Sequence, residues 1–219
     1  MQKVGFIFDL DGVIVDTAKY HYLAWKKLAN ELGFDFTDSQ NELFKGVSRK
    51  RCLEILLDIG EIKATQEQFD RWMVEKNEDY LAYIDKMDDS EILPDVVKIL
   101  NFLKGNSIPI ALGSASKNAK PILEKVGLLD YFDYIVDGNS VTKAKPDPEV
   151  FLIAAENMGL EPENCVVFED ALAGIEAANL AGMTSIGIGE TDVLSEADYN
   201  FNDFTEIDLN FMNNLLNGN

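Results

Sequence analysis

The protein has 219 residues, of which 47% are apolar, and its 39 acidic side chains outnumber 19 Lys plus Arg for a net charge of −20 at pH 7. This size and apolar content suffice for a folded protein with a substantial core. The negative field opposes binding to polyanions, so we expect neither nucleic acid nor acidic lipid as a partner. No run of 18 or more apolar residues occurs, and we expect a cytoplasmic protein without membrane contact. The sequence has no sustained exposed apolar stripe that would indicate an interface between subunits, so we expect a monomer.

Short apolar runs typical of strands recur along the chain, with helical periodicity between most of them. The predicted strands cover residues 4–8, 108–112, 134–136, 166–168 and 184–188. The predicted helices between the later strands cover residues 96–103, 119–126, 150–158 and 174–180. This alternation predicts an α/β fold with a doubly wound parallel sheet, in which helices cover both faces.

The segment between the first two predicted strands has a different pattern. Residues from about 17 to 87 show helical spacing throughout, as at Leu53, Leu56 and Leu57, and no strand pattern. We therefore predict a core domain formed by residues 1–15 and 88–219, with a helical cap domain inserted over residues 16–87.

Short polar residues follow three of the predicted strands. Asp9 and Asp11 come after VGFIF, Ser114 and Ser116 come after IPIALG, and Glu169 and Asp170 come after CVVF. Ligands of an open parallel sheet gather at the carboxyl ends of its strands, so these side chains are expected to converge. Four carboxylates together repel one another, and an all-oxygen set of this kind suits Mg²⁺. The alternatives are turn chemistry at the Asp-Gly pair and a helix N-cap at Glu169-Asp170.

Four short motifs stand in a fixed order along the chain. They are FDLDG with Thr17, then Ser114, then Lys145 followed by Pro146, and last Glu169-Asp170. This order resembles the motifs of the haloacid dehalogenase superfamily and spans nearly the whole chain. The resemblance implies that Asp9 is a nucleophile that takes up a phosphoryl group and that Asp11 is a general acid and base. It also implies a magnesium site formed by Asp9, Asp11, Glu169 and Asp170.

These implied roles are chemically consistent with the residue types. A carboxylate such as Asp9 can attack phosphorus in line and form an aspartyl phosphate. Asp11 can exchange a proton with the leaving or attacking oxygen if its neighbours raise its pKa. By resemblance, Ser114 donates to a phosphoryl oxygen and Lys145 neutralises charge on the transferring group. Outside the motif order, a turn hydroxyl and a solvated lysine would be the simpler interpretations of these two.

The first predicted cap helix carries three candidate residues on one face. Thr17, His21 and Trp25 recur at every fourth position, which aligns a hydroxyl, the only histidine of the chain and an indole. We predict that Thr17 and His21 take part in catalysis and that Trp25 contacts substrate. A His21 contact with Asp11 could hold the acid and base out of place until the cap closes. The alternatives are a structural histidine and a core tryptophan.

Two further segments supply candidate ligands for a second phosphate. KGVSR offers the backbone of Gly46 and Val47 and the planar guanidinium of Arg49, and Lys76 stands in EKNEDY. The core segment SASKN adds hydroxyl, ammonium and amide donors at Ser116, Lys117 and Asn118. The alternatives are a helix-to-helix turn for KGVSR, a solvated lysine at position 76, and a helix N-cap for SASKN.

Together with KAKPDP, these segments resemble the sugar-phosphate mutases of the same superfamily. Those enzymes interconvert β-glucose 1-phosphate and glucose 6-phosphate through bound β-glucose 1,6-bisphosphate. The resemblance implies a small sugar phosphate as substrate and the bisphosphate as activator and intermediate. It assigns the distal phosphate to Arg49, Ser116, Lys117 and Asn118, and the sugar to the Gly46-Val47 backbone.

Two other functions are compatible with these residues. A magnesium-dependent sugar-phosphate phosphatase would use the same aspartates and pass the phosphoryl group to water, but it would have less need of Arg49 and Lys117. A non-catalytic, phosphate-responsive binding module would show no turnover. A cap of about 70 residues argues against the module, because a receiver aspartate must stay open.

Overall fold

The computed structural model describes residues 4–44 and 47–217. Within these ranges it contains six strands in one sheet, ordered β3-β2-β1-β4-β5-β6, and every neighbouring pair is parallel. The strands are β1 (Gly5–Phe8), β2 (Ile110–Gly113), β3 (Tyr134–Val136), β4 (Cys165–Glu169), β5 (Thr184–Ile188) and β6 (Tyr199–Phe201). The predicted doubly wound parallel α/β fold is confirmed.

Five α-helices of the described ranges lie between β1 and β2, one follows each of β2, β3 and β4, and the last follows β6. They are α1 (Ala18–Glu31), α2 (Asp38–Asn41), α3 (Arg49–Ile59), α4 (Gln66–Ile84), α5 (Val96–Gly105), α6 (Ala119–Lys125), α7 (Glu149–Met158), α8 (Leu172–Leu180) and α9 (Leu209–Asn217). No helix within the described ranges combines the length and apolar character needed to cross a bilayer.

Side chains of the central strands alternate between two apolar layers, as a period of two requires. Phe6 and Phe8 face one layer, where the Phe8 and Phe168 rings stack at a centroid distance of 4.8 Å. Ile7 faces the other layer, which contains Phe151 of α7. Both faces of the sheet are therefore covered.

The helical segment α1–α4 has an apolar cluster of its own, built around Trp25, Phe36, Leu53 and Trp72. The C-terminal half of α4 is shared, because Tyr80 packs into the cluster of the sheet. This arrangement supports an inserted cap, while the boundaries at residues 15/16 and 87/88 stay a prediction.

The register of the sheet brings the functional strand ends level with one another. Phe8 of β1 pairs with Leu112 of β2 on one side and with Phe168 of β4 on the other. The residues directly beyond these three strands therefore meet at one edge, beneath the helical segment.

Candidate active site

A cavity of about 400 Å³ lies between this edge of the sheet and the helical segment. Most of the predicted site residues line it, namely Asp9, Asp11, His21, Trp25, Val47, Arg49, Lys76, Ser114, Ser116, Lys117, Lys145, Glu169 and Asp170. Thr17 and Asn118 do not line the cavity but contact residues that do. Gly46 lies outside the described residues.

Lys145 forms ion pairs with two acids on the sheet side of the cavity. Its Nζ donates to Asp9 Oδ1 at 2.6 Å, to Glu169 Oε1, and to the Gly113 carbonyl at 3.1 Å. Burial opposes the charge on this ammonium, but the Asp9 and Glu169 carboxylates outweigh it and raise the pKa of Lys145 above its ordinary value. Lys145 is therefore a permanent cation held against the predicted nucleophile.

Asp9 is also fixed from its other oxygen. Asp9 Oδ2 accepts a hydrogen bond from the backbone N–H of Asp11 at 2.9 Å. The backbone of Ser114 is fixed too, because its N–H donates to the Val136 carbonyl at 3.0 Å. The orientation of the Asp9 carboxylate is thus set before any ligand binds, as preorganised catalysis requires.

Asp11 has the protonation behaviour expected of a general acid and base. Burial, followed by the nearby charge of Asp9, raises its pKa from 3.8 to about 6. The Thr17 hydroxyl donates to Asp11 Oδ1 and partly opposes this rise. A carboxyl group with a pKa near the working pH can both give and take a proton.

His21 lies beside Asp11 without a hydrogen bond to it. His21 Nε2 is 3.9 Å from Asp11 Oδ1, whereas His21 Nδ1 is 2.9 Å from Lys76 Nζ. The ring stacks on Tyr80 with centroids 4.1 Å apart. Burial, then Lys76 and Arg49, holds the pKa of His21 well below its ordinary value, so the imidazole is neutral. Nδ1 is therefore the ring nitrogen paired with Lys76, and Nε2 is the one that faces Asp11.

Lys76 is a buried lysine without a carboxylate partner. Lys76 is 1% exposed, and its Nζ lies 4.6 Å from the Trp25 ring centroid and 4.8 Å from the Tyr80 ring centroid. Among the described residues no Asp or Glu forms an ion pair with it. Burial, followed by repulsion from Arg49, lowers the pKa of Lys76 from 10.5 to about 7. An anion entering the cavity would supply the missing counter-charge.

Arg49 is the second such cation on the helical side. It is the first residue of α3, after the N-cap Ser48, and it lines the cavity. Burial lowers its pKa, and within the described ranges no carboxylate pairs with it. Lys117, in contrast, is exposed at the cavity rim. Arg49 and Lys76 thus give the helical wall two basic groups that have no carboxylate in ion-pair contact among the described residues.

The structure supports the N-cap alternative for SASKN in position only, and it places a different residue at the N-cap of the helix after Glu169-Asp170. Helix α8 has Ala171 at its N-cap, while Glu169 Oε2 accepts from the N–H groups of Asp170 and Ala171. Helix α6 has Asn118 at its N-cap, but the Asn118 side chain makes no cap hydrogen bond. These polar side chains are therefore used outside helix capping.

Several cavity residues escaped the sequence analysis. They include Asn41, Phe44, Cys52 and Met73 of the helical segment and the loop 141–144 before Lys145. The apolar members resemble ordinary core residues in sequence, and no spacing marks them. The loop could have been found, because it precedes the motif lysine directly.

The acids of the sheet side suit a hard divalent cation. Asp170 reaches the FDLDG loop only because residue 12 is glycine, since a Cβ there would lie 2.1 Å from Asp170 Oδ2 and Gly12 has φ +82°. Asp9, Asp11, Glu169 and Asp170 offer only oxygen donors, and Lys145 is the cation bonded among them. No three acid, His or Cys side chains of the described ranges form a ready metal cluster. Mg²⁺ accepts such a site, because it uses one or two carboxylates and takes its other ligands from water and substrate phosphate.

Comparison with known proteins identifies the class. Residues 4–182 match the family described as haloacid dehalogenase-like hydrolases. The chain belongs to this family, as its motif order predicted.

Individual relatives are similar to this chain over most of its length. The chain is 43% identical over 194 residues to the β-phosphoglucomutase of Bacillus subtilis (strain 168), covering 88% of this chain and 86% of that protein. The crystal structure of β-phosphoglucomutase from Clostridium difficile superposes with a TM-score of 0.94 at 40% identity, covering 99% of this chain and 98% of the other. A phosphorylated carbohydrates phosphatase of Thermotoga maritima is 34% identical, with 82% of each chain covered.

Proposed function

We propose that this protein is a β-phosphoglucomutase, which interconverts β-D-glucose 1-phosphate and D-glucose 6-phosphate through β-glucose 1,6-bisphosphate. The similarity to two β-phosphoglucomutases over most of the chain supports this function. The observation that carries it is the pairing, in one cavity, of an acid wall suited to phosphoryl transfer with two basic groups, Arg49 and Lys76, that have no carboxylate ion pair among the described residues. A mutase intermediate has two phosphates, so it needs a second cationic site.

The reaction uses Asp9 and Asp11 in two successive transfers. In the first, Asp11 takes the proton of the sugar hydroxyl at carbon 6, and that oxygen attacks the phosphoryl group carried by Asp9. The bisphosphate then turns, and Asp9 attacks the phosphorus at carbon 1 while Asp11 returns the proton to the leaving oxygen. A pKa of about 6 lets Asp11 serve in both directions. The product is glucose 6-phosphate, and Asp9 is phosphorylated again.

The surrounding residues hold the charges that these steps move. Lys145 and Ser114 face the transferring phosphoryl group, and Arg49, Ser116 and Lys117 face the distal phosphate. Asp9 and Asp170, with Asp11 and Glu169 completing the set, would hold Mg²⁺, whose charge offsets repulsion between the carboxylate and the phosphate. The Nε2 atom of the neutral His21 faces Asp11 and can orient that carboxyl group. We further propose that the protein acts as a monomer in the cytoplasm.

The test is a product ratio. The protein is incubated with Mg²⁺, β-glucose 1-phosphate and a trace of β-glucose 1,6-bisphosphate, and glucose 6-phosphate and inorganic phosphate are measured together. A mutase forms mainly glucose 6-phosphate and depends on the bisphosphate. Predominant phosphate release would instead establish the sugar-phosphate phosphatase, and an absence of both products would indicate a binding module. Omission of Mg²⁺ with a chelator tests the predicted metal dependence.

A further inference from the structure

A hydrogen bond joins the helical segment to the core loop beside the cavity. Asn118 Nδ2 donates to Asn77 Oδ1 at 3.1 Å, across 41 residues of sequence. Asn77 belongs to α4 and directly follows Lys76, while Asn118 is the N-cap residue of α6 and is 9% exposed. The amide of Asn118 therefore faces another amide of the protein.

This hydrogen bond is the first of three that connect Asn77 to both predicted phosphate sites. The backbone N–H of Asn118 donates to Ser116 Oγ at 3.2 Å, and the backbone N–H of Ser116 donates to Ser114 Oγ at 3.1 Å. Each serine oxygen thus accepts from the loop itself. A hydroxyl that accepts in this way keeps its own proton to donate, which is what an incoming phosphate needs.

We propose that Asn77 is a positioning residue, which fixes the loop Ser114–Asn118 for phosphate binding by holding the Asn118 amide. The proposal rests on the proposed function, since it assigns phosphate to that loop. Asn77 does not line the cavity and acts through Asn118. Because Lys76 is its neighbour on α4, the same helix carries one cavity cation and the anchor of the opposing loop. The position of α4 therefore sets the positions of both Lys76 and the loop Ser114–Asn118.

A second contact between the region of α4 and α6 serves as a control, because it has no connection to the loop Ser114–Asn118. At the other end of α6, Lys125 Nζ donates to the Asp85 carbonyl at 3.1 Å and to Asp85 Oδ1 at 2.6 Å. Both pairs join the region of α4 to α6, but Lys125 and Asp85 are exposed and lie outside the cavity lining. Removing this contact loosens the same two elements without touching the loop.

The experiment is a double-mutant cycle on purified enzyme, with the KM for β-glucose 1-phosphate as the measured quantity. We expect Asn77→Ala to raise the KM about 5- to 10-fold with kcat within about 3-fold, the effect of one lost hydrogen bond to a binding loop. In an Asn118→Ala background, Asn77→Ala should add no more than about 2-fold. Asn77→Asp, which keeps the acceptor oxygen, should retain a KM closer to wild type than Asn77→Ala. Lys125→Met should remain within about 2-fold of wild type.

Several results would overturn the proposal. These are an unchanged KM in Asn77→Ala, full additivity in the double variant, and a Lys125→Met effect as large as that of Asn77→Ala. Circular dichroism and urea midpoints confirm that every compared variant is folded. Failure of the proposed function would be visible separately, as phosphate release by the wild-type enzyme, and the same cycle would then be measured on the KM of that hydrolysis.

Discussion

The two walls of the cavity differ in how their charges are balanced. On the sheet side, Lys145 is bonded to Asp9 and Glu169, and every group of this trio has an oppositely charged partner. On the helical side, Lys76 and Arg49 have no carboxylate partner within the described ranges. The Asp9-Lys145-Glu169 trio of the sheet wall is thus assembled before substrate arrives, whereas the two basic groups of the helical wall gain an ion-pair partner only with an anion bound.

The two buried lysines show that partners, rather than burial, decide the charge state. Lys145 and Lys76 are 5% and 1% exposed. The neighbouring carboxylates raise the pKa of Lys145, whereas burial and Arg49 lower that of Lys76 to about 7. Substitutions on the two walls should therefore have opposite consequences.

The largest expected effect is at Asp9. Asp9→Asn keeps the size of the side chain but removes the attacking carboxylate, so we expect formation of glucose 6-phosphate and release of phosphate both to fall at least about 1,000-fold. The measurement follows both products, and far-UV circular dichroism checks the fold. Turnover within about 10-fold of wild type would remove Asp9 from the role of nucleophile.

The next effect is on stability, at Lys145. Lys145→Met leaves the buried Asp9 and Glu169 carboxylates without their cation, and we expect a loss of about 3–5 kcal/mol in the free energy of unfolding at pH 7. Urea denaturation of the two proteins in the absence of Mg²⁺ measures the difference. A variant as stable as wild type would mean that the trio contributes nothing net to folding.

Arg49 tests the helical wall directly. Arg49→Ala should lower kcat/KM for β-glucose 1-phosphate about 20- to 100-fold, because a charged hydrogen bond to a partly buried phosphate contributes about 2–3 kcal/mol. Arg51→Ala is the control, since Arg51 lies on the same helix but is exposed and bonded to Glu54 at 3.0 Å. Equal losses in the two variants would point to a general effect of charge rather than a phosphate site.

The sequence was sufficient for the fold because its signals are local. Each predicted strand and helix from residue 96 to 188 is present, with ends that shift by about two residues. The start of β2 illustrates why ends are harder. Residues 108–112 have a strand composition, but the Ile108 N–H donates to the Leu103 carbonyl and closes α5, so the strand begins at Ile110. Competition for one hydrogen bond is not visible in composition.

The features of the site likewise divide into those that local sequence signals predict and those that they do not. The acids, Ser114 and Lys145 were predictable because each follows a strand or stands in an ordered motif. The absence of a His21 to Asp11 hydrogen bond, the His21 contact with Lys76, and the bond between Asn77 and Asn118 depend on tertiary packing. No spacing along one chain specifies which side chain fills the space across a cavity.

Lys76 gives the smallest expected effect, and its sign is opposite to that of Lys145. A protonated lysine without a counter-ion opposes folding, so Lys76→Met should raise the free energy of unfolding by about 2 kcal/mol at pH 7. The pKa of Lys76 is about 7 in the folded protein and 10.5 in its ordinary state. Between these values the unfolded chain binds more protons, so wild-type stability rises with pH there.

The advantage of Lys76→Met should therefore be full below about pH 7 and fade toward pH 10. Paired urea titrations of wild type and variant at pH 7, 8.5 and 10 measure it, and most other titrating groups cancel in the difference. A gap that stays constant with pH would show that the folded protein keeps Lys76 at its ordinary pKa, with a counter-charge on the helical wall. Both lysines would then have counter-charges from the protein, and they would differ only in their positions.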